Sequence, residues 1–215
     1  MKWISYFFTC NIPFYIYHLK TNDSMIEIYN NKQEKSIIIL CGLIYTTKIF
    51  SNYESCPIAL LHKNNIIDID NCLQNEKSYY KMTALKETYI IRFSYIHIKD
   101  INITKTFFKY YIASYKFTLY THKMMHYILI QKNTYYRIIQ LVTLLSIYFG
   151  IINQEFIKIP FKIRKIDIAM MTGSNINTIN KTFHILKLKK IIKYSRNKLL
   201  LIQKSFFVNF LYLLN

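Results

Sequence analysis

Between residues 163 and 188 the chain places Ala169 four residues ahead of Gly173, inside two runs of helical periodicity. No other spacing in the sequence constrains the fold as tightly. A small residue in a first helix lets a second helix approach closely. A glycine four residues on supplies a left-handed backbone that other side chains resist by about 1–2 kcal/mol. Ser174 or Asn175 then stands where an N-cap satisfies the first free amides of the next helix. Ile179, Phe183 and Leu186 recur at helical spacing and point inward, which leaves Asn175, Ile176, Asn177, Asn180 and Lys181 on the open side. The segment reads as helix, tight turn, helix, and its open positions are those that reach base edges when such a helix lies in a major groove. Residues 189–202 follow as a β-hairpin or wing, with Ser195, Arg196 and Asn197 as its turn.

The distribution of charge points the same way. The net charge is +18, and lysine outnumbers arginine 25 to 4 while Ile, Asn, Tyr and Phe are abundant. Those residues have A/T-rich codons, so part of the charge reflects a small A/T-biased genome. Mutational bias acts along the whole chain, however, and the charge does not. Residues 1–100 carry 11 Lys/Arg against 9 Asp/Glu, and residues 160–204 carry 11 against the single acid Asp167. A cationic C-terminal module that meets a polyanion accounts for the gradient. Double-stranded DNA is the expected partner. The rival reading is a basic protein that binds nucleic acid non-specifically or associates with a membrane surface through residues 138–152. That apolar run holds Gln140, Thr143 and Ser146 and falls short of the ~20 residues of a spanning helix, so a buried helix is expected and no membrane partner.

Other chemistries lack their residues. Gly42, Gly150 and Gly173 cannot be arranged into a phosphate-cradling glycine loop. Cys10, Cys41, Cys56 and Cys72 show no C-x-x-C spacing, and His122 and His126 stand four apart without the glutamate of H-E-x-x-H, so no metal is expected. Asp68 and Asp70 have no neighbouring histidine or nucleophile in sequence and read as solvated turn residues. His184, inside the second helix of the turn motif, reads as a phosphate or packing contact. The opening residues 1–19 are apolar but lack a small-residue cleavage site, so no secretory signal is expected. We expect neither an enzyme nor a cofactor.

Upstream, residues 22–93 break into short β-rich runs (36–45 interrupted at Gly42, 44–50, 58–61, 81–85 and 89–93) separated by Asn/Lys/Glu clusters, as in a small antiparallel β-domain. Asparagine serves the turns where most chains use glycine. From 102 to 131 the period becomes helical, with Phe107, Tyr111, Ser114, Thr118 and Met125 in one stripe beside Tyr110, Phe117 and Tyr127. A stripe on so long a helix is expected to be a dimer seam. A second helix over 134–149 has Ile138, Leu141, Val142, Leu145 and Phe149 on one face and Gly150 at its C-cap. The expected domains are 1–101, 102–132 and 133–215.

With these residues in view, the chain resembles the CRP/FNR family of transcription regulators, and within it the NtcA-type global nitrogen regulators in their red-algal plastid-encoded form. Residues 163–202 follow the family's winged helix-turn-helix without a gap. Met124-Met-His-Tyr-Ile-Leu, Arg137, Leu141, Leu144-Leu145 and Phe149-Gly150-Ile151 follow the branch, and Ile39-Leu-Cys-Gly-Leu-Ile and Ala59-Leu-Leu resemble two of its strands. The resemblance implies an α+β fold: an N-terminal cyclic-nucleotide-binding-like β-roll, a long dimerisation helix, and a C-terminal winged helix-turn-helix. It further implies a homodimer on palindromic promoter DNA, an RNA polymerase partner, a plastid location, an activator's role and a link to nitrogen metabolism. Asn177 and Lys181 would read bases, with Ile176 at the family's base-reading arginine. Thr178, Lys165, Lys187 and Arg196 would contact or approach phosphates. The effector loop departs from the pattern: residues 64–73 hold no glycine, Asp68 and Asp70 stand where an anion would sit, and 74–80 contain no arginine. The branch's arginine and glutamate on the long helix fall on Thr118 and Lys123. Carboxylates repel a dianion, so the β-roll is expected to be a scaffold with a degenerate pocket.

Overall fold

The structure is a computed structural model, described for residues 2–28, 35–68, 78–94, 105–195 and 200–206. It divides into two compact units, Met1–Met124 and Met125–Asn215. Residues 69–77, Asp70 among them, and Arg196 and Asn197 lie outside the described residues.

The N-terminal unit opens with helix α1 (Lys2–Thr9), followed by β1 (Phe14–Leu19), β2 (Ser24–Ile28), β3 (Lys35–Ile49), β4 (Ser55–His62), β5 (Ile66–Asp68) and β6 (Tyr79–Ser94). Helix α2 (Lys105–Leu129) comes next, and the division between the units falls within it. The sheet runs antiparallel in the order β1-β6-β3-β4. Its two long central strands change partners along their length. The start of β3 pairs with β5 and its end with β4, while the start of β6 pairs with β2 and its end with β1. The sheet is thereby rolled up, and β3 is covered on both sides. Ile38 and Ile91 pack with Trp3, Phe7, Phe93 and Phe107 on one side, and Ile37, Ile39 and Ile90 with Ile44, Leu61 and Met82 on the other. A strand buried on both faces needs no polar alternation, which explains the unbroken run at 36–40.

The structure departs from the sequence expectations at three places. The break at Gly42 and the gap between 85 and 89 do not divide strands: β3 and β6 are each continuous. Gly42 sits in a β-bulge at φ +113, with the register irregular on both sides, and Leu43 N–H donates to Thr88 Oγ1 at 3.0 Å. The opening residues, for which the sequence predicts no element, form α1 and bury Trp3 and Phe7. The helical stripe expected at a dimer seam instead packs within its own unit: Phe107 and Tyr111 join the core, and Ser114 and Thr118 are buried. Asparagine does take over glycine's backbone role, since Asn11, Asn22 and Asn64 have φ of 51, 73 and 70.

The C-terminal unit holds α3 (Thr134–Phe149), β7 (Ile151–Ile152), β8 (Phe156–Lys158), α4 (Lys165–Thr172), α5 (Ile176–Leu188), β9 (Ile192–Tyr194) and β10 (Leu200–Gln203). Its sheet runs antiparallel in the order β7-β8-β10-β9. Asn133 caps α3 by accepting from Tyr135 N–H, and Ile138, Leu141, Val142 and Leu145 are buried. Gly150 closes α3, though at φ −68 rather than in a left-handed cap. Its glycine is required by proximity: an added Cβ would lie 2.4 Å from Ile157 Cγ2.

Candidate nucleic-acid interface

The two helices of the turn motif are set by local contacts. Arg164 caps α4 with Asp167, whose carboxylate accepts from Arg164 N–H at 3.2 Å, Nε at 2.8 Å and Nη2 at 2.6 Å. Asp167 is 2% exposed, so the lone acid of the basic segment is buried against a guanidinium and removed from the surface. Gly173 then adopts φ 58, and Ser174 N–H donates back to Ala169 O at 3.0 Å, a left-handed helix ending that redirects the chain. Ala169 is buried in the turn.

Asn175, and not Ser174, is the N-cap of α5. Its Oδ1 accepts from Thr178 N–H and from Thr178 Oγ1, each at 2.8 Å. Ile179, Thr182, Phe183 and Leu186 are buried, as expected for three of them, and Asn175, Ile176, Asn177, Asn180, Lys181, His184 and Lys187 are exposed. Asn177 and Lys181, four apart, share one face of the helix. Ile176 presents an apolar surface, 46% exposed, in the first turn.

Lys165 joins the helices. Its ammonium donates to Asn180 Oδ1 at 2.7 Å and lies 5.9 Å from the ring centre of Phe183 and 5.6 Å from that of Tyr194. Tyr194 Oη donates to Ile163 O at 2.8 Å, which ties strand β9 to the entry of α4. Burial raises the Tyr194 hydroxyl above its ordinary value, aided by the nearby Asp167 carboxylate, so it stays a donor. Arg137 Nε donates to Gln131 O at 2.6 Å and holds the start of α3.

Two features escaped the sequence. The capping pair has no signature, because a capping box is read from Ser or Thr at the first position and here Arg164 occupies it. Lys189, Lys190 and Lys193 also surround the end of α5 and the start of β9; all are exposed, and Lys193 Nζ lies 4.2 Å over the Phe156 ring. Their spacing K-K-x-x-K was the available signal.

In the N-terminal unit a cavity of about 270 Å³ lies between the rolled sheet and α2, lined by Ile58, Leu61, Ile66, Met82, Thr118 and His122 among others. No Lys, Arg, Asp or Glu is among its described lining residues. The Thr118 hydroxyl donates to Ser114 O at 3.1 Å while accepting from Ile66 N–H at 2.8 Å and Asn65 Nδ2 at 3.3 Å. Burial lowers His122 below its ordinary value. His126 is exposed. Among the described residues no group of three or more His, Cys, Asp or Glu is placed to hold a metal ion, and no helix is long and apolar enough to cross a membrane.

No protein-family model matches the chain. In sequence it is 26% identical over 201 residues to ycf28, a candidate HTH-type transcriptional regulator of the red alga Porphyra purpurea, covering 93% of this chain and 83% of that protein. Three solved structures share its fold. A CooA variant from Carboxydothermus hydrogenoformans has a TM-score of 0.70 at 14% identity, covering 92% of this chain and 87% of that one. FixK2 of Bradyrhizobium japonicum has 0.67 at 11%, covering 92% and 97%. A CRP/FNR-family transcriptional regulator of Thermus thermophilus has 0.65 at 13%, covering 91% and 97%. With a strand-rich roll, a 25-residue helix and a winged helix-turn-helix in that order, the chain is of the CRP/FNR type in fold, as the resemblance of residues 163–202 implied.

Proposed function

We propose that the protein is a sequence-specific, DNA-binding transcription regulator, and not an enzyme. One observation carries the reading most: α5 presents Asn177, Asn180 and Lys181 to solvent on a helix whose inward face, N-cap and turn are all fixed. Asn177 and Lys181 read bases, since an asparagine amide suits adenine and an ammonium suits guanine or phosphate. Lys187 and Arg196 approach phosphates. Lys165 keeps two ammonium hydrogens beyond the one given to Asn180 and joins them. Asn175 supports the helix as its cap, and Thr178, whose hydroxyl is held by that cap, meets the backbone through its edge. Ile176 offers a thymine methyl an apolar contact, which weights the site toward A/T.

The protein acts as a homodimer on palindromic promoter sites, with two α5 helices one DNA turn apart. What supports the dimer is a second stripe on α2, one residue from the expected one. Phe108, Ile112, Tyr115 and Leu119 recur at steps of four, three and four, and Phe108 and Leu119 are each 55% exposed. This is the 3.5-residue repeat of a helix pair. The cavity lined by Thr118 and His122 supports a degenerate effector pocket: its described lining offers an anion no lysine or arginine, and its hydroxyl is already engaged. The similarity to ycf28 and the A/T-biased composition support a plastid location and, with the fold, RNA polymerase as a partner and an activator's role; the link to nitrogen metabolism rests on the NtcA-type resemblance alone.

Fluorescence anisotropy against a palindromic promoter fragment from the same genome tests the reading, with a scrambled duplex and anionic vesicles beside it at several salt concentrations. Preference for the palindrome that persists as salt rises is expected. Equal, steeply salt-sensitive binding to all three would leave only the charge at work.

A further inference from the structure

The N-terminal unit holds a second and larger cavity, of about 790 Å³, on the side of the roll covered by α1. Trp3 and Ile4 of α1, Leu40 and Cys41 of β3, Tyr89 of β6 and Tyr110 of α2 wall it. Successive residues of a regular strand face opposite sides, yet Leu40 and Cys41 both line this space. They do so because the register breaks between Ile39 and Cys41 and again between Cys41 and Leu43, around the bulge at Gly42. The bulge at Gly42 therefore shapes the wall of a cavity.

Its polar edge is of one kind. Lys2, Lys63 and Asn64 line it; among the described residues no carboxylate does, and neither lysine pairs with an acid. Asn64 is held in place: its backbone has φ 70, and its N–H donates to Ile39 O at 2.8 Å. Its Oδ1 accepts from Trp3 Nε1 at 3.3 Å and from Tyr110 Oη at 3.4 Å. With the carbonyl side engaged by both rings, the amide Nδ2 is left as the donor, and it has no partner among the described residues. Three aromatic rings, two ammonium groups and one oriented amide donor thus converge on a space within the 300–1,000 Å³ typical of small-molecule sites.

We propose that this cavity binds an amphipathic organic anion, its flat apolar body against Trp3, Tyr89 and Tyr110 and its acidic group at Lys2, Lys63 and the Asn64 amide. An inorganic anion would leave the aromatic walls uncovered, and a neutral aromatic would leave the cations without a counter-charge. The site is independent of α5 and of the DNA reading.

Trp3 is the single tryptophan of the chain, so its fluorescence reports this cavity alone. The full-length protein is titrated with 1-anilinonaphthalene-8-sulfonate, an aromatic monoanion that accepts energy from tryptophan, and in parallel with N-phenyl-1-naphthylamine, the same rings without the sulfonate. One sulfonate probe per chain with saturable quenching of Trp3 is expected. A Lys2→Gln/Lys63→Gln double variant should bind the sulfonate about tenfold more weakly and the neutral amine unchanged, as loss of charge-assisted contacts implies. Cys41→Phe, which fills the cavity, should displace both probes. Far-UV circular dichroism shows that each variant is folded. Probe binding without Trp3 quenching, several probes per chain, or equal sulfonate affinity in the double variant and the parent would overturn the proposal.

Discussion

Lys165 Nζ and Asn180 Oδ1 stand 2.7 Å apart, joining the first helix of the turn motif to the outward face of the second. The contact orients the amide, because an Asn180 whose oxygen faces Lys165 turns its NH₂ donors the other way. The two residues should therefore separate in their effects. Lys165→Ala is expected to lower affinity for the palindrome and to reduce the slope of log K against log salt by about one. Asn180→Ala is expected to leave that slope unchanged and relax base preference. Unfolding free energy should move by no more than about 1 kcal/mol in either, since the bond is exposed. An unchanged slope in Lys165→Ala would remove the residue from the phosphate contacts.

Asn177 and Lys181 carry the proposed base readout. Alanine at either should cost about 1–3 kcal/mol at the palindrome while leaving affinity for a scrambled duplex within twofold or so. Parallel titrations of the two duplexes measure the difference. A variant that loses both affinities equally would be a phosphate contact instead.

The exposed stripe on α2 predicts the oligomeric state. Leu119→Glu places like charges opposite each other in a paired helix and should convert a dimer to a monomer by sedimentation equilibrium. Thr118→Val, one residue away, removes a hydroxyl that bonds to Ser114, Asn65 and Ile66 within its own unit. It should instead lower Tm without changing mass. A Leu119→Glu protein that remains dimeric would exclude this seam.

Gly42 admits no side chain. At φ +113, a Cβ there would lie 2.1 Å from Thr88 Oγ1 and 2.5 Å from Thr88 Cα. Because the near atom is backbone as well as side chain, trimming Thr88 cannot relieve it. Gly42→Ala should destabilise the N-terminal unit by about 3 kcal/mol, whereas Gly173→Ala, at φ 58 with a left-handed cap, should cost about 1 kcal/mol. Urea unfolding of the two variants tests the order.

Acid should weaken the N-terminal unit before its carboxylates titrate. Burial lowers His122, and burial with the positive charge of Lys86 lowers His62, both from the ordinary 6.5. A base with a depressed pKa binds fewer protons folded than unfolded. Its stability is intact above the unfolded value and declines as pH falls through it toward the folded value. Tm is expected to fall as pH drops through about 6.5, and His122→Gln should flatten the decline. A Tm that holds or rises over that window would contradict the burial of these rings.

The helix-turn-helix was legible because every determinant lies within a few residues of the next. Ala169, Gly173, Asn175 and the inward Ile179, Phe183 and Leu186 act through backbone conformation and helical pitch, both local quantities. The β-half was legible as strands and not as a roll. Gly42 reads as an interruption from its neighbours alone, and only the register of β3 against β6, with Thr88 packed close against it from 46 residues away, makes it a bulge inside a continuous strand. Which face of α2 its own unit buries is not legible in the sequence because apolar residues surround the helix: Phe107 and Phe108, or Tyr110 and Tyr111, present the same hydropathy on adjacent faces.

By itself, then, the sequence determined the order of strand-rich half, long helix and turn motif, the inward and outward faces of α5, and the concentration of positive charge beyond residue 160. Tertiary structure alone decided three matters: that the opening residues form a helix over the roll, which face of α2 its own unit buries, and which side Leu40 and Cys41 share. Periodicity and propensity are set over a few residues, whereas burial is set by partners that arrive from far along the chain. Trp3 meets Asn64 and Tyr110 only after the sheet has rolled, and no spacing within residues 1–12 encodes that meeting.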